Sequence, residues 1–239
     1  VIEEGVRNPM FRGMRVRGVV LDLDGTLVNT TVDFGLMKQR VTTELVSLGI
    51  PSSLLDGGRT TAENLDRSVG YLSSHGREGE IGMVRLRLGE VMNRTELERV
   101  SGTTAVGGAV ECLDRLRAGG LRTGLLTRGS RAYALAALRY SGLDMNFDAV
   151  VCRDDFPEEE AKPNGKAMTR IVSMMGLRAE ECILVGDHAM DLHCARSVSS
   201  GFVGVLSGSF GSEDWSRSGC ETVIESVALL PQLLFDQKS

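Results

Sequence analysis

At 239 residues the chain can hold one large domain, or a core domain with a smaller insert, and it can bury a sizeable core without covalent staples. Apolar residues make up 42% and charged residues 25%, as in ordinary soluble globular proteins, and a net charge of −5 argues against the basic face that broad nucleic-acid binding needs. Five cysteines, an odd number with no Cys-x-x-Cys pair, argue against a disulfide framework or a zinc site and fit reduced thiols in a reducing compartment.

In chain order, the segment 1–17 lacks the apolar stretch of a secretory signal, and its arginines are mixed with Glu3 and Glu4. No apolar run approaches the length of a membrane span. A cytoplasmic protein is expected, with an organelle matrix or stroma as the alternative. The run Gly18 to Leu23 reads as a buried strand. Between Leu27 and Thr104 no convincing strand pattern follows. Instead Phe34, Met37, Val41, Leu45 and Leu48 recur at helical spacing, as do Ile81, Val84, Leu88 and Val91, with a shorter helix around Leu65, Val69 and Leu72. Residues 31–104 are therefore expected to form an all-helical insert, and 1–30 with 105–239 the core. Gly107-Gly108 marks the re-entry.

Strand and helix patterns then alternate. Helical faces are expected at Val110 to Ala118, Ser130 to Tyr140 (capped by Ser130), Lys166 to Met175 and Asp191 to Ser197. Strands are expected at Arg122 to Leu126, Ala149 to Cys152, Cys182 to Val185 and Gly201 to Leu206. This alternation implies an α/β fold with a parallel sheet, whose ligands bind beyond the carboxyl ends of its strands.

Four segments fall at those ends. Asp22-Leu23-Asp24-Gly25-Thr26 closes the first strand, and residues two apart share a face, so Asp22 and Asp24 can serve one site. Two close carboxylates need a proton or a cation between them; the same tetrad also serves as a plain strand-capping turn. Leu126-Thr127-Arg128-Gly129-Ser130 offers a hydroxyl and backbone amides at a helix start, either an anion site or a simple cap. Lys162-Pro163 follows the third strand, where a fixed lysine can pair with a carboxylate and a phosphate oxygen, or merely face solvent. Gly186-Asp187-His188-Ala189-Met190-Asp191 places two carboxylates one helical turn apart, a pattern that suits Mg²⁺ and equally a helix N-terminus. Together the segments supply a nucleophile, an acid/base, a hydroxyl, a cation and a metal pair.

In this order the four segments resemble the motifs of the haloacid dehalogenase-like hydrolase superfamily, and most closely its phosphoglycolate-phosphatase-like branch with a helical cap. Thr31-Val32-Asp33-Phe34 and Thr127-Arg128 also resemble a eukaryotic branch. The resemblance implies a Rossmann-like sheet in the order 5-4-1-2-3, with the insert as a cap closing over the site. It implies a phosphatase in which Asp22 attacks phosphorus and Asp24 is the acid/base. Mg²⁺ would be held by Asp22, Asp187 and the backbone carbonyl of Asp24, with Asp191 either a further ligand or a residue that orients the others. Thr127 and Lys162 would hold phosphate oxygens, and Gly25 and Arg128 would add backbone amides. The second Asp, Asp24, argues for phosphoryl chemistry and against carbon–halogen cleavage. The implied partner is a small phosphorylated metabolite, with neither nucleic acid nor membrane, and the protein would be a monomer or homodimer. A phosphosugar mutase or a non-catalytic regulatory protein on the same scaffold is the alternative.

Other features carry less. Arg59, Arg67, Arg77, Arg85 and Arg87 in the insert can meet an acidic substrate or coat a helix surface. Gly204, Gly208 and Gly211 follow a strand at the wrong spacing for a dinucleotide site. Trp215 is expected to pack the tail onto the core.

Overall fold

The computed structural model describes residues 9–143 and 147–236, so the first eight residues of the N-terminal segment considered above lie outside it. Among the described residues, those up to Thr30 and from Ser101 form one compact unit, and Thr31–Val100 forms another.

The first unit is built on a parallel sheet of six strands: β1 (Gly18–Leu21), β2 (Arg122–Leu126), β3 (Ala149–Val151), β4 (Cys182–Gly186), β5 (Gly201–Val205) and β6 (Val223–Ile224). Their spatial order is β6-β5-β4-β1-β2-β3. The five expected strands thus lie in the expected order, and β6 is an added edge strand that sequence reading missed. Leu21 is in register with both Leu125 and Val185, so the ends of β1, β2 and β4 lie side by side. β1 and β4 are buried along their whole length, as strands covered on both faces must be. β1 is shorter than the run Gly18 to Leu23: the ladder stops before Asp22, whose N–H still donates to Val185 O at 2.9 Å.

Helices α4 (Ala109–Ala118), α5 (Arg131–Tyr140), α6 (Gly165–Met174) and α7 (Ala189–Arg196) follow the expected positions within one or two residues. Ser130 caps α5, its Oγ accepting the Tyr133 N–H. One core cluster joins Val20 and Leu184 of the sheet to Met168, Ile171 and Val172 of α6, Leu192 of α7, and Trp215. Trp215 is buried and its indole N–H donates to Val205 O at 3.0 Å, so it does fasten the tail to β5.

The second unit holds α1 (Phe34–Ser47), α2 (Thr61–Ser74) and α3 (Ile81–Leu97). Met37, Val41 and Leu45 of α1 pack with Leu65 and Leu72 of α2 and Val84 and Leu88 of α3. α2 is longer than the apolar spacing suggested, because a Thr60/Glu63 capping box starts it earlier. The expectation that no strand lies between Leu27 and Thr104 is corrected: Val28–Asn29 pairs antiparallel with Thr104–Ala105 inside the first unit. Two residues per strand are too few for an alternating pattern to show.

Candidate active site

The sequence segments meet at the carboxyl ends of β1, β2 and β4. Asp22 lies just past β1 and is 7% exposed; Asp187 follows β4; Asp191 sits in the first turn of α7 and is 2% exposed. One oxygen from each lies within 4.8 Å of the others. Lys162, 3% exposed, reaches in from the segment before α6. Its ammonium donates to Asp22 Oδ1 and, at 2.6 Å, to Asp191 Oδ1. Asp191 Oδ2 accepts the His188 N–H at 3.2 Å, so both its oxygens are fixed.

The charges do not balance. Three buried carboxylates face one ammonium. Burial raises the Asp22 carboxyl well above its ordinary range, and Asp191 and Asp187 add to the rise against the pull of Lys162. Burial also raises Asp187, opposed by the Ser209 N–H, which donates to its Oδ2 at 2.6 Å. Burial works against the Lys162 ammonium, but Asp191 and Asp22 more than offset that and hold it charged. The surplus of negative charge, all on oxygen donors, fits a divalent cation of the Mg²⁺ type, which would relieve the carboxylate repulsion.

Tight backbone packing shapes the site. A Cβ on Gly25 (φ +74°) would come within 2.5 Å of Asp187 Oδ2, and one on Gly208 within 2.1 Å of the same atom. Both glycines are therefore set by the close approach of Asp187 rather than by the turn alone. Gly208 lies in the segment after β5, where Ser207 Oγ also donates to Gly25 O at 2.7 Å. Of the glycines that do not fit a dinucleotide loop, Gly208 is thus the wall behind Asp187, while Gly204 lies against Trp215. Gly25 needs a correction: its N–H donates to Val28 O at 2.8 Å, so the amide expected for phosphate closes the turn after Asp24 instead.

At the end of β2, Thr127 is buried and its Oγ1 accepts the Gly129 N–H at 2.9 Å. Arg128 turns its guanidinium to the Lys162 carbonyl and the Glu158 carboxylate, bracing the segment that carries the lysine. Asp24 is half-buried, and its Oδ1 accepts a hydrogen bond from the Tyr133 hydroxyl. The sequence candidates Asp22, Asp24, Thr127, Lys162, Asp187 and Asp191 all lie at or just beyond these strand ends, whereas Tyr133, Gly208, Ser209 and the Arg128 side chain beside them were not singled out from the sequence. The glycine run after β5 was the one available signal for Gly208.

Within the second unit Arg59, Arg67, Arg77 and Arg87 have local partners. Arg59 pairs with Asp56, Arg77 with Glu80, and Arg87 with Glu44, while Arg67 donates to Leu54 O. These contacts suit a helix-surface role.

A parallel sheet in this order, with carboxylates past its first and fourth strands and a lysine between them, is the arrangement of a known hydrolase class. The sequence pattern of the haloacid dehalogenase-like hydrolases matches residues 16–198, and the chain belongs to that family. Relatives named phosphoglycolate phosphatase and pyrophosphatase share about a quarter of its residues. It is 26% identical over 226 residues to a phosphoglycolate phosphatase of Nitrosospira multiformis, covering 94% of this chain and 97% of that one. It is 28% identical over 195 residues to the pyrophosphatase PpaX of Halalkalibacterium halodurans, covering 75% and 78%. In fold it is similar to a hydrolase from Pseudomonas syringae, with a TM-score of 0.69 and 24% identity over 91% of this chain and 97% of that one.

Proposed function

We propose that this protein is a Mg²⁺-dependent phosphatase that hydrolyses a small phosphomonoester through an aspartyl-phosphate on Asp22. The observation that carries the reading is the buried group of Asp22, Asp187 and Asp191 joined by Lys162 at the strand ends.

In the first step an Asp22 carboxylate oxygen attacks phosphorus, and the bond to the leaving oxygen breaks. Asp24 gives its proton to that oxygen, releasing an alcohol. In the second step Asp24 takes a proton from water, which attacks the same phosphorus. The bond to Asp22 breaks and inorganic phosphate leaves. Lys162 and Thr127 hold phosphate oxygens, and the ammonium offsets charge that builds in the transition state. Arg128 acts one step back, through the backbone that carries Lys162.

Asp22 and Asp187 would hold Mg²⁺, with the Asp24 backbone carbonyl as a further ligand and Asp191 closing the group. When bound, the ion supplies positive charge that offsets carboxylate and phosphate repulsion. The helical unit Thr31–Val100 is read as the cap that selects the ester. A small phosphorylated metabolite is the implied substrate, and phosphoglycolate is the first candidate because similar proteins carry that name. Among the described residues no helix is long and apolar enough to cross a membrane, and all five cysteines are free. Both facts are compatible with action in a reducing, aqueous compartment such as the cytoplasm.

The test is phosphate release from a phosphomonoester panel, with Mg²⁺ and with chelator, for wild type and Asp22→Asn. Release that needs Mg²⁺ and is lost in the variant is expected. Conversion of a sugar monophosphate without free phosphate would instead point to the mutase.

A further inference from the structure

The acid/base carboxylate has a partner that the reaction scheme does not use. Tyr133 stands in the first turn of α5 and is 1% exposed. Its hydroxyl donates to Asp24 Oδ1 and lies 2.7 Å from Thr30 Oγ1. A phenol has one proton. With that proton on Asp24, the Thr30 hydroxyl is the donor to the Tyr133 oxygen, giving a chain from Thr30 to Tyr133 to Asp24. The ring is held as well. A Cβ on Gly129 would come within 2.7 Å of Tyr133 Cδ1, so the ring lies flush against the backbone after Thr127. The Tyr133 N–H donates to Ser130 Oγ at 3.3 Å, which fixes the turn the ring stands on.

We infer that Tyr133 is a positioning residue for the acid/base Asp24, holding Oδ1 so that Oδ2 carries the proton to the leaving oxygen. The inference rests on the reading of Asp24 given above. A carboxylic acid has two oxygens, and only one can face the departing group with its proton. A donor fixed on Oδ1 keeps that oxygen as acceptor and directs the proton to Oδ2. Tyr133 keeps its own proton throughout. In the leaving step the P–O bond breaks, and the Asp24 proton ends on the alcohol.

Protonation of the leaving group matters when that group is a poor one. An alkyl phosphate needs the acid, whereas an ester of an acidic phenol such as p-nitrophenol departs as the anion. The experiment compares kcat/KM, which reports the step up to alcohol release, for an alkyl phosphate and p-nitrophenyl phosphate in wild type, Tyr133→Phe, Thr30→Val and Asp24→Asn. For Tyr133→Phe the alkyl ester is expected to lose about 10- to 100-fold while the aryl ester changes by less than about threefold. Thr30→Val should show the same selectivity, weaker. Asp24→Asn should show it most strongly. Circular dichroism and melting temperature establish that each variant is folded. If Asp24→Asn is selective but Tyr133→Phe slows both esters equally or neither, the role of Tyr133 is wrong. If Asp24→Asn itself shows no selectivity, the acid/base reading has failed instead.

Discussion

The ammonium of Lys162 bonds Asp22 and lies 2.6 Å from Asp191 Oδ1, so one lysine ties the candidate nucleophile to the first turn of α7. All three side chains are almost fully buried, and such a group is strongly interdependent. Lys162→Met is expected to lower phosphatase activity by at least about 100-fold. It should also lower stability by about 3–5 kcal/mol, because two buried carboxylates lose their cation. Steady-state kinetics and urea denaturation check both. A variant as stable as wild type would show that the lysine is no part of the buried charge balance.

Gly208 is expected to matter for metal affinity without touching the metal. The methyl of Gly208→Ala would fall within 2.1 Å of Asp187 Oδ2 and 2.5 Å of its Cβ, so the carboxylate or the segment after β5 must shift. Displacing a ligand this way typically weakens metal binding by about 10- to 100-fold. Titration calorimetry with Mg²⁺ alone measures it, and the activity at saturating Mg²⁺ should recover in part. Unchanged affinity would remove Gly208 from the wall of the site.

These two positions show what the sequence made legible. Asp22, Lys162, Asp187 and Asp191 each follow a strong strand signal, so strand-end reasoning placed them together. Gly208 was visible only as a glycine whose spacing fitted no phosphate loop, because its purpose depends on Asp187, about twenty residues earlier in the chain. Tyr133 was hidden for a similar reason: an aromatic in the first turn of an Ala- and Leu-rich helix looks like core. The ribbon of Val28–Asn29 with Thr104–Ala105 and the edge strand Val223–Ile224 have two residues per strand, below the length at which periodicity can speak. The Gly25 amide was misread because the turn bond to Val28 O is a property of backbone geometry, not of residue type.

Asp155 is expected to give an acid-dependent share of stability. Burial works to raise its carboxyl, but the Arg131 guanidinium and the Cys152 N–H outweigh this and hold it below the ordinary value. A depressed folded-state value means the stabilisation is complete above the unfolded value, near 3.8, and is lost as pH falls through the folded one. Asp155→Asn should cost about 1–2 kcal/mol at pH 7. The gap from wild type should narrow as the pH drops below about 4. Thermal denaturation across that range tests the sign, and a gap that widens on acidification would refute it.

The buried thiols are expected to be inert. Burial pushes Cys112 and Cys182 up to about 12 and Cys194 to about 11, so almost none is thiolate at pH 8. Cys220, half-buried, should be the first to react with a disulfide reagent. Mass spectrometry of native protein should find Cys112, Cys182 and Cys194 unmodified until denaturant is added. Rapid modification of any of these three in the native state would contradict their burial.

The most direct test of the aspartyl-phosphate reading is a rapid acid quench during turnover of a phosphomonoester with Mg²⁺, followed by peptide mass spectrometry. One phosphoryl group on Asp22 is expected, absent in Asp22→Asn. A phosphoryl group on any other residue, or undiminished turnover by Asp22→Asn, would contradict Asp22 as the nucleophile.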